Sequence, residues 1–476
     1  MIKRWKEGKN VFRGRRIEVE EEENRNKINV EKHLLYGMDI HSGRIPGDLS
    51  SDKCKVFFSA ERGRGFGLSD DILSKHLLLL GGIGSGKTNT INFIMDSLQK
   101  SMTDEDIMII FDSKGDYKER FFDVNNSKHI LIAHAKEYRG ISKSWNIFDE
   151  LKNSHGEYEE NVSISIAKEI SKQLFSGRES ASQPFFVRAA ADIVSKVLIY
   201  KIREWNKSSK LHELTTADFV SFIHGATVVD YHKMLYQYKD FKNATTYLGV
   251  TKDGGMIGGQ GLGVIAEINS MVNDMFSGPF AEDYGNGSIS MRELVRRKQG
   301  KTVFVEYDLS VGITLAPIYR ILFDLALKEA LGGRTEKRGN VYFIIDEASL
   351  LPNLIHLQDA LNFGRSLGVK VIAGLQSITQ LYDAYGEEKG KVIAAGFMNS
   401  FCFQTWDLES RQFISERFGA NYQNLSYYYD GKPIILQRDG NVVEDWDILN
   451  LEVGEALINL TQQKAIRFKY KFKEFK

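Results

Sequence analysis

Residues 76–90 read HLLLLGGIGSGKTNT. Gly81, Gly86, Lys87 and Thr88 fit the spacing G-x-x-x-x-G-K-[ST], with Gly82, Gly84 and Ser85 inside the loop and Asn89 just after it. Glycines let successive backbone N–H groups turn toward one phosphate and reach φ values that side chains resist. Lys87 suits the β- and γ-phosphates of ATP, and the Thr88 hydroxyl suits Mg2+. A phosphate held there lies at the positive N-terminus of the next helix. A plain glycine-rich turn fits the same letters. The short apolar run before the loop and the amphipathic pattern after it are the context that a phosphate loop requires.

A second constellation is VYFIIDE, residues 341–347. Its apolar run places Asp346 at the tip of a buried strand, where a carboxylate can hold Mg2+ through water. Glu347 then stands where a base would polarise an attacking water. An acidic pair capping a helix is the alternative. Gln376 ends the apolar stretch VKVIAGLQ, where it can touch a γ-phosphate and the lytic water or merely cap the next helix. Arg365, in NFGRSLG, reads equally as a solvated charge favoured by a helix C-terminus.

The elements that must position these residues alternate. HLLLL, DIMIIFD (106–112), SKHILIAHA (127–135), KTVFVEYD (301–308), NVYFIIDE, VKVIAGLQ and NSFCFQTW (399–406) are short apolar strands. Helical patterns lie between many of them, which predicts a mostly parallel sheet covered on both faces. Strand signals almost vanish over 151–295, where long helical patterns such as PFFVRAAADIVSKVLIYKIREW dominate. The expected division is an arm over 1–60 for partner or oligomer contact, an α/β nucleotide domain over 61–150 and 296–476, and an inserted all-α domain over 151–295. The stretch KPIILQRDGNVVEDWDILNL predicts a C-terminal β hairpin turning at RDGN. TKDGGMIGGQGLG (251–263) is too glycine-rich for a helix and reads as a mobile loop.

The totals bound the function. With 63 basic and 63 acidic side chains the formal charge is zero, so the chain cannot coat nucleic acid through overall charge. Any DNA surface must be a local lining. Cys54 and Cys402 are far apart and in no metal-ligand spacing, which predicts free thiols in a reducing compartment. MIKRWKEGKN has no signal-peptide pattern, and no run reaches the ~18 apolar residues of a membrane span. The expected location is cytoplasmic.

FIIDEASLLPNLIHLQDALNFGRSLGVKVIAGLQSITQLYDAYG closely resembles the nucleotide-binding domain of type IV secretion coupling proteins, the conjugative DNA-transfer ATPases related to the FtsK/HerA ring translocases. HLLLLGGIGSGKTNT, IIFDSKGDYKERFF and SWNIFDEL match that family in the same order. The resemblance covers roughly 60–476. It implies a RecA-like P-loop domain with an inserted all-α domain, assembled as a hexameric ring around DNA. It implies ATP and Mg2+ as cofactors, with Lys87 and Thr88 on phosphate and metal, Asp346 and Glu347 as the Walker B pair, and Gln376 as γ-phosphate sensor. It makes Arg365 the arginine finger on a neighbouring subunit, and aligns Lys75 with a basic residue that reaches a neighbour's nucleotide. Family members usually begin with a membrane anchor, so the expectation is either a branch that a partner recruits to the inner face of the membrane, with a relaxase or secretion channel as its other partner, or a protein that works away from the membrane. The competing readings are a soluble HerA-like motor for double-stranded DNA in repair or phage defence, and a nucleotide-switched scaffold that recruits protein cargo.

The tail KAIRFKYKFKEFK interleaves cations with aromatics, as a single-stranded DNA surface would. A half-buried strand shows the same alternation.

Overall fold

A computed structural model describes residues 31–41, 54–61, 65–178, 184–208, 212–249, 259–332, 339–429, 432–473 and 475. The strands among them are β1 (Glu31–Gly37), β2 (Ile40–His41), β3 (Cys54–Phe58), β4 (Phe66–Ser69), β5 (Leu77–Leu80), β6 (Ile107–Asp112), β7 (His129–Ile132), β8 (Ser144–Trp145), β9 (Ser288–Ile289), β10 (Lys301–Glu306), β11 (Val341–Ile345), β12 (Val369–Leu375), β13 (Asn399–Cys402), β14 (Ala420–Tyr429), β15 (Lys432–Asn441), β16 (Glu455–Asn459) and β17 (Ala465–Lys469).

Ten of these form one sheet in the order β2-β17-β16-β13-β5-β12-β11-β6-β10-β7. From β13 to β7 every neighbour is parallel. Such a sheet is covered on both faces, so its strands are apolar throughout. Leu78 and Leu80 join one buried cluster, while Leu77 and Leu79 join the other. Alternation along the strand sends successive side chains to opposite faces. The fold is RecA-like α/β with an all-α domain, as expected.

The helical block leaves and rejoins the sheet through a narrow neck. β8 and β9 pair in parallel, Ser144 opposite Ser288 and Trp145 opposite Ile289. The Glu150 carboxylate lies wholly buried beside them. It accepts from Trp145 Nε1 at 3.0 Å, Ser290 Oγ at 2.8 Å and the Met291 amide at 2.7 Å. Those donors come from both sides of the insertion, so one carboxylate ties its two ends together. Long helices follow at Glu160–Leu174, Pro184–Lys207 and Gly259–Met275. Their apolar faces share one continuous cluster with a face of the sheet.

Three expectations need correction or sharpening. Gly259–Gly263, read as part of a mobile loop, opens the helix Gly259–Met275; residues 251–258 lie outside the described residues. The helix needs its glycines for close approach, because a Cβ on Gly261 would come 2.3 Å from the Leu248 carbonyl oxygen. The C-terminal hairpin forms from β14 and β15, but it reverses between Tyr429 and Lys432, and RDGN lies inside β15. Pairing across β14 sets the register there. The tail strand β17 pairs with β16, burying Phe468 and Tyr470. Three cations of the tail meet carboxylates: Arg467 with Glu455, Lys469 with Glu61 and Glu452, and Lys473 with Asp96.

Within 1–60, β1 pairs with β14, β2 with β17, and β3 with β4. Cys54 and Cys402 are free thiols. No helix among the described residues is long and apolar enough to cross a membrane.

Gly374 links this packing to the site below. A Cβ there would lie 2.1 Å from the Asp346 carbonyl oxygen on the next strand. We predict that Gly374→Ala destabilises the fold by about 1–3 kcal/mol through overpacking and displaces Asp346. Denaturant unfolding with nucleotide turnover measured in parallel checks this, and parental values in both would refute it.

Candidate functional site

The parallel strands aim their C-terminal ends at one edge, where an open α/β sheet binds its ligand. The glycine-rich loop follows β5, Asp112 ends β6, Asp346 and Glu347 follow β11, and Gln376 follows β12. β12 lies between β5 and β11. The loop, the acidic pair and the Gln therefore come from three adjacent strands.

The loop enters the helix Lys87–Ser101 through Gly86, whose φ is +117°. A side chain is strained at that value. A Cβ on Gly81 would meet Phe403 Cβ at 2.6 Å. Ser85 Oγ donates to the Gly82 carbonyl at 2.8 Å, and the Gly82 amide donates to the Gln404 carbonyl at 2.8 Å. Gly84 has φ +75° and open space around its Cα. Asn89 sits in the first turn of the helix, half-buried. The Lys87 ammonium donates to the carbonyls of Gly81 and Gly82. Burial pushes its pKa down, against the pull of Glu347 and Asp346 nearby.

Asp346 is buried, and its carboxylate accepts from Ser113 Oγ at 2.8 Å and Tyr117 Oη at 2.7 Å. The Thr88 hydroxyl also faces the Tyr117 phenol, so the phosphate loop and the acidic strand meet at this ring. Burial and the Asp346 charge push the phenol well above its usual range. Glu347 accepts from Gln376 Nε2 at 2.7 Å and Ser349 Oγ at 2.9 Å. Burial raises its pKa above the ordinary carboxylate value. Asp112 is pushed up to about 6 by burial. Its carboxylate accepts from the amides of Tyr117 at 3.0 Å and Lys118 at 2.8 Å, which seats the turn carrying Tyr117.

Lys87, Thr88, Asp346, Glu347 and Gln376 are thus one cluster. Lys75 and Arg365 are elsewhere. Lys75 precedes β5 and Arg365 precedes β12, so both lie at the N-terminal edge of the sheet. Seven residues of β12, spanning roughly 20 Å at ~3.3 Å each, separate that edge from Gln376. There the two share one partner: Asp71 bonds Lys75 Nζ at 2.9 Å and Arg365 Nη2 at 2.8 Å. Arg365 is exposed and Lys75 is buried.

Sequence reading missed Ser113, Tyr117 and Asp71. Ser113 and Tyr117 do lie in SKGDYKERFF, but their target is more than two hundred positions away, so no local spacing marks them. Asp71 follows a Ser N-cap and reads as an ordinary acidic first turn.

The family model for the type IV secretion-system coupling protein DNA-binding domain matches residues 65–426. The chain belongs to this family. Among solved structures, an unbound form of the bacterial conjugative coupling protein TrwBdeltaN70 superposes with a TM-score of 0.71, at 20% identity over 94% of this chain and 95% of that one. The plasmid coupling protein TrwB in complex with ADP and Mg2+ gives 0.68 at 19% identity, covering 94% of this chain and 95% of that one. VirB4 of Thermoanaerobacter pseudethanolicus gives 0.53 at 15% identity, covering 91% and 98%. Comparison with curated proteins finds no match. The coupling-protein fold thus extends over nearly the whole chain, well beyond the segment that the family model matches.

Removing the phenol leaves Asp346 one hydrogen bond short in a buried place. Partners that orient metal-holding carboxylates are typically worth about 10–100-fold in activity or affinity. We predict a fall of that order in Mg2+-dependent nucleotide turnover for Tyr117→Phe. An unchanged Mg2+ titration would show that Asp346 does not depend on this bond.

Proposed function

We propose that this chain is an ATP-hydrolysing coupling protein of conjugative DNA transfer, working as one subunit of a hexameric ring. The match to the coupling-protein DNA-binding domain over 65–426 carries this reading. The solved complexes of TrwB with ADP and Mg2+ and with the ATP analogue ADPNP support the cofactors.

The donor set fits them. Thr88 and Asp346 offer hard oxygen ligands side by side, the kind of donors Mg2+ takes, and Asp346 is already oriented by Ser113 and Tyr117. Bound Mg2+ would supply charge neutralisation at the phosphates.

The chain's own residues then divide the work. Amides of the Gly81–Lys87 loop and the Lys87 ammonium hold phosphate. Glu347, kept in place by Gln376 and Ser349, takes a proton from the attacking water. Its raised pKa brings it closer to the working pH of a general base. Gln376 touches Glu347 directly, so a sensor at this position can report the nucleotide to the base. Arg365 and Lys75 sit at the opposite edge of the sheet from these groups, and in this reading they complete the site of a neighbouring subunit.

Two measurements test the reading. ATP turnover should rise with DNA, and the stimulation should fade as salt weakens the grip on the phosphates. Flat rates across DNA type and salt in assembled rings would favour the scaffold. For the ring itself, mixing Arg365→Ala with Lys87→Ala should restore activity that neither variant has alone, because some mixed interfaces keep both groups. Mixed rings with no recovered activity would place Arg365 outside the neighbour's site.

A further inference from the structure

A cavity of about 610 Å³ opens at the β7 end of the ten-stranded sheet, the end opposite β2 and β17 in strand order. Its walls are the start of β7, the start of β10 and the neck of the helical insertion. These are the N-terminal ends of parallel strands, so the cavity is on the edge opposite the phosphate loop. Its size is that of a small-molecule site, which typically spans about 300–1,000 Å³.

Three cations line it: Lys143, Arg297 and Lys301. Glu293 is the carboxylate among the lining residues, and it pairs with Arg297 at 2.6 Å. Lys143 Nζ donates to the Asn286 carbonyl, and no carboxylate pairs with it among the described residues. No carboxylate is within ion-pair distance of Lys301 among the described residues. Burial and the charges of Arg297 and Lys143 push the Lys301 amine below its usual range, against the pull of Glu293. His129, also in the wall, is held below its usual range by burial and adds no charge at neutral pH. Three cations against one carboxylate leave a positive cavity in a chain of zero formal charge. A bound anion would relieve the crowding at Lys301.

The other wall is apolar and partly aromatic. The half-buried Phe122 ring lies 6.2 Å from the His129 ring, and Val124 beside it is 60% exposed. The Phe122 ring also packs edge-on against Phe304 at 5.7 Å, so only part of it faces the cavity. Cations and a partly exposed ring in one cavity form the combination that holds a single strand, with phosphate on the cations and base on the ring.

We propose that this cavity binds a nucleotide unit of single-stranded DNA, with the phosphate on Lys143, Arg297 and Lys301 and the base against Phe122 and Val124. The choice of DNA rests on the function proposed above.

The test is fluorescence anisotropy of a labelled oligothymidylate on the full chain without ATP, with thymidine monophosphate and inorganic phosphate as competitors. A double variant, Arg297→Gln with Lys301→Met, should weaken binding about tenfold or more. The slope of log affinity against log salt should fall by about 0.7 for each phosphate that the variant no longer neutralises. Lys301→Arg should retain binding, and ATP affinity and melting temperature should stay parental in every variant. A 5-iodouracil oligonucleotide should crosslink to Phe122 or Val124. Parental affinity and slope in the double variant overturn the cavity but leave the DNA reading standing, because the parent still binds. A parent that binds no oligonucleotide overturns both. Competition by phosphate alone as strong as by the monophosphate overturns the role given to the base.

Discussion

Everything in the site depends on the parallel pairing of β5, β12, β11 and β6. Parallel strands end together, so loops remote in sequence gather at one edge. Leu77, Ile372 and Ala373 fix β12 against β5, while Val341 opposite Ile107 fixes β11 against β6. A slip of one residue would turn each apolar side chain to the other face and move each tip. Because both faces are buried, the register is held by the two cores rather than by any bond in the site. The cluster around Lys87 and Asp346 is therefore a by-product of packing, and its precision is the precision of the sheet.

The same sheet gives the molecule two chemically different edges. One carries the phosphate loop, the acidic pair and Gln376. The other carries Lys75 and Arg365, held by Asp71, and, farther along, the cationic cavity. Exposed ion pairs such as Arg365–Asp71 are worth only about 0–1 kcal/mol, so this pair holds the arginine only weakly.

The helical insertion joins through the neck and packs on one sheet face. Asp324, wholly buried on the helix Gly312–Leu331, accepts from Gln173 of the insertion at 2.9 Å and from the His356 amide at 2.8 Å. His356 lies between β11 and β12, so the segment leaving Glu347 is bonded through one carboxylate to the helical domain. That is a short mechanical route between the nucleotide edge and the insertion.

The sequence by itself determined the local chemistry. Gly81 to Thr88 can be recognised because a phosphate loop requires its residues at adjacent positions, and Asp346–Glu347 because a buried strand must end where its apolar run ends. The alternation of strands and helices determined the mostly parallel α/β class, since a parallel sheet needs crossovers, while the RecA-like expectation came from the family resemblance. Tertiary structure decided what depends on distant positions. It placed Ser113 and Tyr117 on Asp346, joined Lys75 to Arg365 through Asp71, and set a glycine-rich segment into a helix because Leu248 lies against Gly261. It also moved the hairpin reversal away from RDGN, because cross-strand pairing over ten residues outweighs the preference of one turn. Local sequence encodes groups that must be neighbours along the chain. Bonds between groups hundreds of residues apart exist only once burial of the two cores has fixed the register of the sheet.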